Sequence, residues 1–472
     1  MGGGGGCAEA KGSVDFEGHP QVHQTHPHED YGDGEDLNDS DCDSDCLQND
    51  QPCLYHHDDI YRLRQLEIEV PRDGDRIVLM VAQHFRRALS LPSPPIDQVV
   101  GARVIPRFLE LLAVEAHVEL QLEAAWVLTN IASGDTDHTA AVVEAGAVPL
   151  LRRLLSKSKG ELLIQVIWAL GNIAGDGPDH RDLVVASGAV DPLLEVIRGL
   201  ETKSTSSMMA WELSCLRNAT WTMSNLFRGV PHPERAPLKP ALSVLASLLH
   251  HDDDEVLTDA SWALSYASDG PNGHIEEVLE TSVLPRLVEL LTHKVTSVQK
   301  SVLRTVGNVV TGNDVQTQQV IEHGALPSLY MLLTHDRKSI RKEACWAVSN
   351  IAAGNLVQIQ ALLDQGIMKV LIGMLDASDW DVRKEAAWAI SNSTSGGTVA
   401  QIRTLLDAGC LMPLCRLLEG SERRMVEVLP ATHSSSHFPP LPPTSYHFLP
   451  LPTTSYEFLP HSPLLASALP AL

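Results

Sequence analysis

Tryptophan and asparagine recur four residues apart along the chain: Trp126 with Asn130, Trp168 with Asn172, Trp221 with Asn225, Trp346 with Asn350 and Trp388 with Asn392. Residues at that spacing share one helix face. A single Trp is ordinarily a core side chain. A repeated Asn beside it is not, because a buried amide without partners costs roughly 1–3 kcal/mol. The pairs therefore read as an open face whose amides meet the N–H and C=O groups of an extended backbone. Indoles between them form slots for long aliphatic stems and attract a Lys or Arg head by roughly 0.5–2 kcal/mol each. Carboxylates accompany them: Asp176 close behind Asn172, and Asp259, Glu343 and Glu385 each three residues before position 262, 346 or 388. The guest that suits these groups is extended and basic.

Two registers break the pattern, with Tyr266 where Asn is expected after Trp262 and Arg304 where Trp is expected before Asn308. A fixed cation at Arg304 is expected to repel a basic guest. The row then divides into a longer site over Trp126, Asn130, Trp168, Asn172, Trp221 and Asn225, and a second around Asn308, Trp346, Asn350, Trp388 and Asn392, with Glu385 beside it.

The elements that hold these residues repeat. Successive positions of the Trp register lie 42, 53, 41, 42, 42 and 42 residues apart, and a Gly-containing break follows each segment. After most breaks the pattern reads as a short helix, a turn such as Ala145-Gly146-Ala147, and a leucine-rich helix such as Leu150–Leu155. Three helices in about 42 residues is the size of an armadillo or HEAT unit. Such a unit buries its apolar faces only by stacking, which generates a superhelix. The expected fold is all-α: a right-handed superhelical armadillo solenoid of about eight repeats plus a partial one over residues 61–429. The long spacing before Trp221 is expected to be a longer loop around Ser204–Cys215 that includes Trp211.

Composition narrows the function. The 472 residues carry 35 Lys+Arg against 60 Asp+Glu, a net charge of −25, which argues against a nucleic-acid binder. No apolar run reaches the roughly 18–20 residues of a membrane-spanning helix. The eight cysteines have no recurring spacing, so the expected compartment is reducing. Residues 1–60 hold fifteen acids against Lys11 alone and are expected to be a disordered acidic tail. Residues 430–472 hold ten prolines and repeat Thr-Ser-Tyr-x-Phe-Leu-Pro from Thr444 and Thr454, expected as a proline-rich low-complexity tail. Asp39, Asp41, Asp43 and Asp50 imitate a calcium loop, but Ser44 stands where that loop needs Gly. No nucleophile–base arrangement, nucleotide loop or metal framework emerges, so neither an enzyme nor a cofactor is expected.

The stretches Glu123–Gly134, Trp168–Asp176, Lys384–Asn392 and Gly307–Gly312 resemble importin-α, and the departures at Tyr266 and Arg304 match that family too. The resemblance covers about residues 75–425. It implies an adaptor of cytoplasm and nucleus that binds Lys/Arg-rich nuclear localisation signals and hands them to importin-β. It also implies that Gly134, Thr139 and Asp176 form the deepest lysine pocket of the major site, and that Val310 and Thr317 help form the minor-site pocket. The family's basic importin-β-binding helix has no counterpart among Arg62, Arg64, Arg72 and Arg76, which are interspersed with acids, so a constitutively open groove is expected. The repeat pattern stops near Leu429, so the C-terminal end is expected to be cut short relative to the family. The alternative is an armadillo scaffold or decoy that binds basic peptides without handover to importin-β.

Overall fold

The computed structural model describes residues 72–419, and among these the elements are helices joined by turns. The expectations for residues 1–60 and 430–472, including the calcium-loop imitation, lie outside the described residues. A complete unit runs through Thr136–Glu144, Ala147–Leu155 and Gly160–Asp176: a short first helix, a second helix, and a long third helix. Third helices carry the Trp register at Val118–Ile131, Gly160–Asp176, Ala210–Phe227, Asp254–Ser268, Thr296–Val309, Lys338–Ala352 and Trp380–Gly396. Each packs on the next in one continuous row, and Arg72–Leu89 takes the same place ahead of the first. Leu, Val, Ile and Ala from all three helix types form one core that runs the length of the stack.

Local chemistry sets the boundaries. Several first helices open with a capping box: Asn313 Oδ1 accepts from Gln316 N at 3.0 Å while Gln316 Oε1 accepts from Asn313 N at 3.0 Å, and Asn355 with Gln358 repeats the arrangement. The turn from first to second helix needs one left-handed residue. Gly supplies it at Gly146, Gly188, Gly324, Gly366 and Gly409, with φ between 75° and 94°. Arg103 (φ 56°) and Ser282 (φ 58°) fill the same position in two other repeats, where the left-handed residue is not a glycine.

The insertion before Trp221 differs from expectation. Only part of it is loop, with a short 3-10 turn at Thr205–Ser207. Its remainder lengthens the third helix, which starts at Ala210, so Trp211 lies in the first helical turn. The loop is tied down: Thr205 donates from its N–H (2.9 Å) and hydroxyl (2.5 Å) to Asp252 Oδ1, and Lys203 meets Glu212 at 2.6 Å.

Candidate functional site

The row of third helices brings the Trp and Asn residues onto one face. Trp126, Trp168, Trp221, Trp346 and Trp388 are partly exposed, as are Asn130, Asn172, Asn350 and Asn392. Trp262 is not part of this surface: it is 6% exposed, and Tyr266 stacks on it with ring centroids 5.9 Å apart. The open indoles therefore fall into two stretches, one on each side of the Trp262 helix.

The amides are not free in the sense the sequence suggested. Nδ2 of Asn172, Asn225, Asn308 and Asn392 donates to the carbonyl oxygen of Thr129 (3.0 Å), Gly171 (3.1 Å), Ser265 (2.7 Å) and Ser349 (2.9 Å) respectively. Each acceptor sits on the third helix of the preceding repeat. The Asn row is therefore a ladder of stitches between neighbouring helices, and a helical carbonyl has a second lone pair to accept it. Asn225 and Asn308 are 3% and 8% exposed, sunk into that seam. Asn130, at the start of the row, donates to Ser90 Oγ at 3.2 Å, while Nδ2 of Asn350 is buried without a hydrogen-bond partner among the described residues. At Asn172 and Asn392 one N–H is committed, and the oxygen and the other N–H remain on the half-exposed amide.

The carboxylates also divide. Asp259 is buried, and burial, reinforced by Glu255 and Asp253, pushes its pKa up to about 8, so it is mostly protonated at neutral pH. Glu343 is buried and its Oε1 accepts from Arg304 at 2.6 Å. Arg304 lies over the Trp346 ring, 5.3 Å from its centroid. The expected repelling cation is thus paired in place, and Glu343 is occupied by it. Glu385 is largely buried, which raises its pKa against the opposing pull of Lys384 and Lys342. Asp176 sits one turn beyond Asn172, on the face it shares with Trp168.

Thr139, Val310 and Thr317 are closed off from solvent. Thr139 Oγ1 donates to Ala132 O at 3.2 Å, and Thr317 Oγ1 donates to Val310 O at 3.3 Å. The two places thus share one construction, in which a buried hydroxyl donates to a carbonyl oxygen at the end of the third helix. Gly134 is exposed, and a side chain there would run into His138.

Three residues escaped sequence reasoning. Arg86 lies over the Trp126 ring at 4.7 Å and donates to Glu123 at 2.6 Å, repeating the Arg304, Trp346 and Glu343 arrangement at the start of the row. Its place forty residues before Trp126 is the signal that could have found it. Gly171 and Gly307 immediately precede their Asn residues and make room for the next indole: a Cβ would stand 2.8 Å from Trp221 Cε3 at Gly171 and 2.9 Å from Trp346 Cε3 at Gly307. The Gly-Asn dipeptides were visible, but what lies on the glycine was not.

Comparison with known proteins places this architecture. The armadillo/beta-catenin-like repeat model matches residues 92–133, 135–175, 239–269, 271–311, 313–353 and 356–392. Importin subunit alpha-B of Dictyostelium discoideum is 57% identical over 368 residues, covering 78% of this chain and 70% of that protein. Importin subunit alpha-1b of Oryza sativa subsp. japonica is 52% identical over 249 residues, covering 52% of this chain and 45% of that one. Against that plant relative the matched part of the chain spans less than half the relative's length. A crystal structure of an engineered protein superposes with a TM-score of 0.71 at 29% identity, over 79% of this chain and 87% of that one. With its stacked three-helix repeats, its Trp–Asn register and a relative matched over most of both chains, this protein belongs to the importin-α family.

Proposed function

We propose that this protein is a nuclear-import adaptor that holds Lys/Arg-rich localisation signals, in extended conformation, along the face of its third helices. The observation that carries the reading is the pair of partly exposed indole stretches, Trp126, Trp168 and Trp221 in one and Trp346 and Trp388 in the other. Each stretch is edged by amides already fixed in orientation by their bond to the preceding helix. A fixed amide meets a guest's backbone without losing further rotamer freedom, which lowers the entropic cost of binding. Indole walls take lysine stems, and Asp176 supplies a carboxylate at the end of the middle helix of the first stretch. The net charge of −25 steers a cationic guest inward.

Under this reading Gly134, Thr139 and Asp176 shape the deepest pocket of the first site, and Val310 and Thr317 the corresponding pocket of the second. Partners are basic cargo and importin-β, and the protein moves between cytoplasm and nucleus. The repeats described over residues 72–419 carry both sites.

Titration with a fluorescent lysine-rich signal peptide, with and without importin-β, tests the proposal. The parent binds, and Trp168→Ala weakens binding at least tenfold, about 1.4 kcal/mol, within the range of one desolvated cation–π slot. Equal binding by parent and variant would sink the site assignment. Peptide binding without a ternary complex would identify a decoy.

A further inference from the structure

Asp176 is not a bare acid. It ends the Trp168 helix, and its Oδ2 lies 2.8 Å from Nδ1 of His180. The two side chains are only 12% and 19% exposed. With the Nδ1 proton donated to the carboxylate, Nε2 is where a further proton can add, and adding it leaves the bond intact.

His180 is the third residue of the helix Pro178–Ala186, and the equivalent residues elsewhere do different work. Gln316, Gln358 and Gln401 complete their caps and donate Nε2 to the carbonyl oxygens of Asn272, Asp314 and Leu356 in the preceding repeat. His138 accepts the Asp135 N–H at Nδ1 and faces Asp97 through Nε2 at 2.8 Å. His274 Nδ1 meets the Asp269 carbonyl oxygen at 3.0 Å. Among these residues His180 alone engages a carboxylate on the Trp–Asn face.

The charged groups of the surrounding elements are accounted for. On its own helix, Arg181 is fully buried and donates to Asp182 and to the carbonyl oxygens of Arg228 and Pro231, while Asp179 is exposed. The helix Thr136–Glu144 contributes Asp137, Glu144 and His138, the last paired with Asp97 and Asp135. Arg228 closes the Trp221 helix.

We propose that His180 is a specificity-determining residue of the first site. When neutral it orients Asp176 to receive a lysine ammonium. When protonated it neutralises that carboxylate and repels the incoming cation. This deepens the proposed function and rests on it. The second site, whose equivalent positions are glutamines, has no such control.

The test is affinity for a fluorescent oligolysine peptide between about pH 7.5 and 5.5, the range in which an imidazole titrates while free carboxylates stay charged. The parent loses about tenfold in affinity across the range. His180→Asn keeps an N–H donor without a titrating group, so it gives a flat profile. His180→Phe also gives a flat profile, from a lower starting affinity, and provides the readout if the Asn variant folds poorly. Trp346→Ala, which weakens the second site that lacks this control, gives a slope at least as steep as the parent's. A flat parent profile, or an unchanged slope in both His180 variants, overturns the proposal. Absence of parental binding at every pH would instead overturn the proposed function.

Discussion

Gly171 offers the sharpest test of how the site is built. Replacing it with Ala puts a methyl group 2.5 Å from Thr222 Oγ1 and 2.8 Å from Trp221 Cε3, both on the neighbouring third helix. Ordinary carbon contacts lie at about 3.5–4.0 Å, so the indole and the hydroxyl must retreat by roughly 1 Å. The retreat breaks the 3.1 Å bond from Thr222 Oγ1 to the Ile167 carbonyl oxygen, a loss of about 1 kcal/mol. Overpacking adds about 1–3 kcal/mol. Against this, Ala is favoured over Gly inside a helix by about 0.8–1.0 kcal/mol. The expected net effect is destabilisation by about 1–3 kcal/mol, with displacement of the Trp221 slot. Gly199 is the control, because a Cβ there meets nothing within 4 Å and the site is exposed within a helix. Gly199→Ala should stabilise by up to about 1 kcal/mol. Urea unfolding followed by far-UV circular dichroism, with peptide titration on the folded variants, compares the two. If Gly171→Ala proved as stable as Gly199→Ala and bound peptide like the parent, the account of the glycine as a seat for the indole would be refuted.

Two further outcomes follow from local geometry. Ser282 holds φ 58° at a turn where other repeats use Gly, so Ser282→Gly should gain about 0.5–1 kcal/mol in thermal melts while Ser282→Ala gains nothing. Asp259, with a folded pKa of about 8 against an unfolded value near 3.9, keeps its proton in the folded chain while the unfolded chain loses it. Stability contributed there is present at low pH and falls as pH rises from about 4 to about 8. Asp259→Asn should therefore raise the melting temperature more at pH 8 than at pH 5, and an equal shift at both would contradict the buried, protonated aspartate.

Much of the architecture was legible because each repeat prints the same information. The 42-residue period and the Gly at the first-to-second-helix turn are local signals, and the local backbone obeys them. Where signals were weak, the fold still imposed the geometry: Arg103 and Ser282 take left-handed conformations because the neighbouring helices demand the turn. The insertion was harder, since sequence spacing cannot say whether extra residues extend a loop or a helix. At Ala210–Phe227 they do both.

The spacing of indole and amide determined, without any structure, that Trp126, Trp168, Trp221, Trp346 and Trp388 would each share a helix face with the Asn four residues on. That follows from helical periodicity alone. Tertiary packing decided which polar groups on that face are spent. The amides of Asn172, Asn225, Asn308 and Asn392 bind the preceding helix, Glu343 is taken by Arg304, Asp259 is driven to hold its proton, and Asp176 is left on the face beside His180. His180 stands only four residues from Asp176, but the Asn and Glu343 outcomes depend on atoms some forty residues away along the chain. Only the stacking of one repeat on the next brings them within a hydrogen bond's length or removes the water that would otherwise keep them charged.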